Sequence, residues 1–424
     1  MQEQTIRKKS KSWQNLQTLL PLFAAGLLIT CLVLYTLLYL NHLMHSDMAA
    51  EVILSKLLRD RGELISKEWF YSTEIRILYS HLVMTPLFYL FSDFHTVKVL
   101  SIFIFLVLLL LAFHFFASKL KMSLSARLLA MALLLAPWSN EYLDMMFLGN
   151  FYTSQTICMY LYLGFALPCV GWFTLGGEKK KEKQGKLILR FVLLAAFSLL
   201  LGLSGLRYPA CLFAPIVLAL FTDVVRQMMG KGADNPAENG KREEEPEKVK
   251  AGDSGKDRSD IKGSAVSRLK KINLYPLLEQ IFLTVFAFVG FLINKFYLST
   301  HYSFDNTSAV HFVPLTDVSG RFLKAFKLMA QLFGYRDDLP VMSRLWLAGI
   351  FKVAFLIVLV MMTIYLLARR NTLLKPVERL LGYYFIFHFL INFFMLVFTD
   401  VLQQYRYWIP VYIIGVFFAG IFMD

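Results

Sequence analysis

Asp47 and Glu51 stand one helical turn apart in the stretch Asn41-His42-Leu43-Met44-His45-Ser46-Asp47-Met48-Ala49-Ala50-Glu51, directly after the first long apolar run. Carboxylates at a membrane surface are functional candidates by default. One within hydrogen-bond reach of an acceptor hydroxyl could take its proton in a transition state. Three arginines, Arg76, Arg207 and Arg406, stand at the ends of apolar runs. Arginine stays charged and offers two donors to phosphate oxygens, so each could hold a phosphate. The plain alternative for each is snorkelling from the membrane edge. It is stronger for Arg76 than for Arg207, which sits in the break Ser204-Gly205-Leu206-Arg207-Tyr208-Pro209. The plain alternative for Asp47 is a favourable charge at a helix start, with Ser46 as the cap. His42, His45 and Asp47 have a spacing that could ligate a divalent metal. Interfacial histidines are more commonly just hydrogen-bonded, so no metal site is assigned.

The elements that must position these residues follow from composition. The chain has 424 residues, 57% apolar and 15% aromatic, with mean hydropathy +0.54. That is too apolar for a soluble globular protein and points to an all-α, polytopic transmembrane bundle. Continuous apolar runs argue against a β-barrel. The net charge of +14 fits basic cytoplasmic loops better than nucleic-acid binding. The four cysteines all fall in apolar runs and give neither a disulfide framework nor a metal spacing. About ten spans are expected: 16–40, 97–116, 128–137, 156–175, 187–203, 209–226, 275–298, 345–367, 380–399 and 408–423. The first is read as a retained helix rather than a cleaved signal.

Basic residues at 7–11, 119–127, 179–186 and 369–375 place both termini in the cytoplasm and the Asp47 loop outside. In the first outer loop (42–96), residues 47–60 read as an amphipathic helix lying on the membrane. Its polar stripe is Asp47, Glu51, Ser55 and Arg59. Glu74 to Phe91 reads as a second interfacial or half-inserted helix. A second outer segment, 138–155, brings Glu141, Asp144 and Asn150 close together. Tyr208, beside Arg207 in the Gly/Pro break, joins Glu141 and Asp144 as a further candidate binding residue. Residues 227–272 read as a disordered, charged cytoplasmic linker. It separates an N-terminal module (1–226) from a C-terminal one (273–424) whose outer loop spans 299–342. Asn306-Thr307-Ser308 in that loop fits a glycosylation acceptor.

This layout resembles the GT-C class of membrane glycosyltransferases, in the branch containing protein O-mannosyltransferases and the lipid A aminoarabinose transferase. Three pieces carry the resemblance: Ser46-Asp47-Met48-Ala49 past the first span; Arg76-Ile77-Leu78-Tyr79 through Thr85-Pro86-Leu87-Phe88-Tyr89-Leu90-Phe91 to Ala117-Ser118-Lys119-Leu120; and Gly202-Leu203-Ser204-Gly205-Leu206-Arg207-Tyr208-Pro209. Tyr405-Arg406-Tyr407-Trp408-Ile409-Pro410 is similar to the family's Arg-Tyr-x-x-Pro before a late span. The chain departs from the branch in having Asp47-Met48 where an Asp-Glu pair is usual, with Glu51 displaced, and in lacking Lys-Pro-Pro before the second juxtamembrane helix. The resemblance implies transfer of a sugar, with inversion, from a polyprenyl-phosphate donor to a glycan, lipid or protein acceptor at the outer face. Asp47 would be general base, Glu51 an orienting partner, Arg207, Arg406 and Arg76 would hold the donor phosphate, and Glu141, Asp144 and Tyr208 would meet the acceptor or the sugar. The absence of a Gly-rich phosphate loop, Walker motif or nucleophile elbow also favours a lipid-linked donor over a soluble nucleotide sugar. A transporter or flippase is the competing reading, but no repeat joins the two halves.

Overall fold

The computed structural model describes residues 2–71, 75–167, 180–229, 274–303, 311–401 and 403–424. The charged linker from 230 on, Glu74 and the Asn306-Thr307-Ser308 motif lie outside them. The described residues are helical and form no strand, only one isolated antiparallel bridge between Phe312 and Thr399. In chain order the main helices are α1 (Gln2–Leu43), α2 (Ser46–Arg61), α3 (His81–Leu87), α4 (Phe94–Lys119), α5 (Leu124–Leu135), α6 (Asn140–Leu143), α7 (Thr153–Ala166), α8 (Lys180–Gly202), α9 (Ala214–Met228), α10 (Tyr275–Leu292), α11 (Leu315–Leu332), α12 (Arg344–Ala368), α13 (Pro376–Phe398) and α14 (Ile409–Met423).

Among the described residues seven helical segments are long and apolar enough to cross a membrane. They start at Leu16, Phe94, Pro209, Tyr275, Arg344, Pro376 and Tyr405. This is a multi-pass membrane architecture. α1 and α12 expose apolar side chains along much of their length, such as Leu20, Phe23, Phe351 and Met361. That is expected of helices that meet lipid rather than water. α5 and the Ile188–Gly202 part of α8 are shorter apolar helices at the expected third and fifth spans. α7 covers the described part of the expected fourth span, whose residues 168–175 lie outside the described ones.

Both halves of the chain share one core. α8 packs along α10, α9 along α13, and α5 along α14. Gly202 and Gly290 allow the first of these contacts. A Cβ on Gly202 would lie 1.8 Å from the Ala287 carbonyl oxygen, and one on Gly290 would lie 2.2 Å from that of Leu199. Beside it, Phe113, Phe116, Tyr160 and Phe417 interlock as stacked and edge-on rings between α4, α7 and α14.

Two expectations need correction. The helix expected from Glu74 to Phe91 is helical only over His81–Leu87. Residues 75–80 are irregular because their backbone bonds elsewhere: Asn294 Nδ2 donates to Ile75 O, and Leu78 N–H donates to Ser204 Oγ. The segment 299–342, expected as a loop, contains an eighteen-residue helix, α11, that packs on α13. Three wide π turns, Asp144–Leu148, Pro209–Phe213 and Ile293–Leu298, occur at the end of the bundle where α1 finishes. π turns re-aim side chains and concentrate at functional sites.

Candidate functional site

α2 starts two residues after α1 stops, so Asp47 is held at the end of the first span. The cap is His45, not Ser46 as expected. His45 is the last residue in extended backbone (φ −106, ψ 176), which is where a capping side chain must sit. Its Nδ1 accepts the Asp47 N–H at 3.2 Å. Nδ1 as acceptor leaves the proton on Nε2, which donates to Asp144 Oδ2 at 3.1 Å. The segments 42–96 and 138–155 are thereby linked through one imidazole.

Glu51 follows one turn later and receives a 2.8 Å hydrogen bond from Ser80 Oγ. Burial raises its pKa above the usual carboxylate range, against the opposing pull of Ser80, Arg76 and Lys98. Burial also raises Asp144, against His45, and Glu141, against Arg406. Arg59, on the same stripe, donates from Nε and Nη2 to Phe88 O at 3.0 and 2.9 Å, and so fastens α2 to the end of α3.

The three arginines come from three separate segments. Arg76 lies over the Tyr79 ring at 4.9 Å, Arg207 over Tyr152 at 5.4 Å and Arg406 over Tyr407 at 5.8 Å. All three are within electrostatic reach of Tyr152. Gly205, at φ 105, makes the turn before Arg207. Asn294 Nδ2 also donates to Leu203 O at 2.6 Å, so one amide ties together the segments that carry Arg76 and Arg207. Arg406 is set by the single 3₁₀ turn Tyr405–Trp408, pinned where Trp408 Nε1 donates to Ala325 O.

Asp47, Glu51, Arg76, Arg207 and Arg406 all line one cavity of about 420 Å³. Its remaining walls are shared between aromatic side chains, among them Trp69, Phe70, Tyr71, Phe151 and Tyr407, and aliphatic ones such as Leu54, Leu58 and Ile75. Glu141 and Asp144 are not in its walls. Glu141 sits beside Tyr405, whose hydroxyl donates to it at 3.5 Å, and Asp144 stands behind His45. Tyr208 is buried and lines only a smaller pocket of about 20 Å³, shared with Arg76, Arg207 and Ser154.

Sequence reasoning missed Lys98. It is fully buried in the first turns of α4, donates to Gly149 O at 3.2 Å, and has Glu51 and Asp144 as its charged neighbours. The available signal was a lone lysine in an otherwise apolar span. Asn150, which the sequence already sets beside Glu141 and Asp144, stands out for another reason. It has φ 62, is buried, and neither atom of its amide finds a hydrogen-bond partner among the described residues.

For a metal, no group of three His, Cys, Asp or Glu side chains is gathered among the described residues. His45 has both ring nitrogens engaged, and His42 is exposed. The arrangement can hold an anion among arginines on one wall while presenting a carboxylate from another. Set against protein-family models, curated proteins and solved structures, the chain matches none.

Proposed function

We propose that the chain is a membrane glycosyltransferase that moves a sugar from a polyprenyl-phosphate donor to a hydroxyl acceptor at the extracytoplasmic face. The observation that carries this reading is the convergence of two carboxylates and three arginines, from four separate segments, on one cavity at the end of the bundle. Asp47 takes the acceptor proton, and Glu51, held by Ser80, orients the acceptor. Arg207, Arg406 and Arg76 stabilise the charge that develops on the departing lipid phosphate. A lipid donor also needs an apolar slot near its phosphate. An almost wholly apolar cavity of about 310 Å³ lies between α11, α12, α13 and α14. Trp408 borders it, two residues from Arg406 in the same turn. In this reading ten segments span the membrane, both termini are cytoplasmic, and α2 lies at the outer interface. The acceptor is a glycan, lipid or protein of the cell surface.

The test is a reconstituted transfer assay with radiolabelled polyprenyl-phosphate sugars. Transfer is expected in the wild type. Donor binding should weaken by about 1.5–3 kcal/mol in Arg207→Ala and in Arg406→Ala if each makes a direct charged hydrogen bond. Lysine at either position should restore binding only in part, because it lacks the planar fork. Movement of an intact labelled lipid across the bilayer without transfer would favour the flippase reading instead.

A further inference from the structure

We propose that one flank of α11 is embedded in the bilayer at the boundary between lipid headgroups and acyl chains, so that this helix lies in the membrane face rather than in water above it. The apolar side chains that α11 leaves uncovered are not scattered. At about 100° per residue, the helix divides into three sectors. Ala325, Leu328 and Leu332 are buried and face the bundle. Leu315, Phe322, Leu323 and Phe326 share the next sector, interrupted by Ser319. All four are exposed, Leu315 to 85% and Leu323 to 72%. Thr316, Asp317, Lys324 and Lys327 share the third and are exposed too. A helix packed on a protein and facing water needs only the first and the third. Large apolar side chains set between a buried and a charged sector are what a helix at a membrane interface presents.

Contacts along α11 set its depth. Near its start, Arg321 Nη2 donates to the carbonyls of Leu396 and Val401 at 3.2 and 3.0 Å, and to that of Thr399, at the end of α13. In the middle, Ala325 O accepts from Trp408 Nε1 at 3.1 Å, just before α14 begins. Past its end, Gly334 meets α12 at Gly349, where a Cβ would lie 2.8 Å from Gly334 O. Gly349 is five residues into α12, about 7 Å along the helix. α12 has 25 residues, about 37 Å of helix, against about 30 Å of hydrocarbon core. α11 therefore runs along the edge of that core, at the depth where interfacial helices bury their apolar face.

The occupant of the middle sector is lipid, because the sector continues onto the outer surface of the spans. The Phe322 and Phe326 rings pack on Phe393 of α13 with centroids 5.2 and 5.4 Å apart, and Phe312, just before α11, packs on Phe394 at 6.3 Å. Phe394 and Leu390, one turn apart on the apolar span α13, are themselves exposed. Beyond α11, the exposed side chains of Val341, Met342 and Leu345 lead onto the uncovered face of α12. Charges close to this surface are paired locally, Lys327 with Asp337 at 2.5 Å and Arg336 with Asp338 at 2.6 Å.

The full chain is reconstituted into phosphatidylcholine vesicles with a nitroxide at position 315, 316, 323 or 324, attached through a genetically encoded ketone side chain so that the four cysteines stay in place. Relaxation of the label by oxygen, which concentrates in lipid, is compared with relaxation by a water-soluble nickel chelate. Oxygen should dominate at Leu315 and Leu323, and nickel at Thr316 and Lys324, so the ratio should invert between neighbouring residues. Nickel dominance at all four positions overturns the proposal, since α11 would stand in water. Oxygen dominance at all four also overturns it, since the helix would be sunk whole. Protection of Leu315 and Leu323 from both reagents overturns lipid as the occupant and leaves a contact between copies of the chain. If a label at Leu323 prevents folding, the pair Leu315 and Thr316 decides alone.

Discussion

Asp47 sits in the first turn of α2 while His45 supplies the cap, and this separates two roles that are usually entangled. Without the cap to lose, Asp47 contributes to stability only through the helix dipole, about 0.3–1 kcal/mol. Asp47→Asn and Asp47→Ala should therefore melt close to wild type. Both should lose turnover, by about 10²–10⁴-fold if Asp47 is the positioned base. Melting curves together with initial rates for both variants check this. Full activity in Asp47→Asn would remove Asp47 as base and make Glu51 the next residue to test. Glu51 carries its own expectation. Its folded pKa is raised by burial, so the folded state holds the proton more tightly than the unfolded chain. Stability is then highest below the ordinary carboxylate pKa and falls as pH rises through and above that range. Glu51→Gln should flatten this dependence. Relative to wild type it should gain melting temperature as pH is raised from 4 to 7. A difference in melting temperature that stays constant across that range would mean Glu51 is not strained by burial.

At the scale of elements, α2 was legible because its polar residues recur every four positions, a pattern that survives without tertiary partners. The chain from 75 to 80 was not, because Asn294 and Ser204 capture its backbone and both belong to distant segments. α11 was hidden among charges that read as loop. Its apolar signal was there, in Phe322, Ala325, Leu328 and Leu332 at helical spacing. Asp47, Glu51 and the arginines were legible by residue type and position. The role of His45 was not, since it depends on Asp144, 99 positions away. That link predicts a graded series. His45→Asn keeps a capping side chain but is too short for the Asp144 contact. It should retain stability and lose turnover, because α2 is no longer tied to the second outer segment. His45→Ala should lose about 1 kcal/mol of stability as well. Thermal unfolding and kinetic constants distinguish these outcomes. Equal stability in the two variants would show that the cap contributes nothing.

Across the whole molecule, the cavity gathers residues that follow the end of α1, follow the end of α8 and precede the start of α14. The other end is fixed independently. Asp424 Oδ2 accepts the Ser123 N–H at 2.9 Å, so the C-terminus lies beside the turn between α4 and α5. Lys119, Lys121 and Arg127 cluster at that turn, and Arg226, Arg369, Arg370, Lys375 and Arg379 lie at matching helix ends. Basic ends of this kind stay in the cytoplasm, so the cavity should open outside. The side of the membrane is an expectation drawn from the charge pattern alone. A membrane-impermeant thiol reagent added to intact cells should modify Glu63→Cys, in the exposed turn after α2, and leave Leu124→Cys, exposed at the start of α5, untouched until the membrane is opened. The reverse pattern would put Asp47 on the cytoplasmic side. It would make an outward-facing lipid-linked donor untenable, whatever the geometry of the cavity.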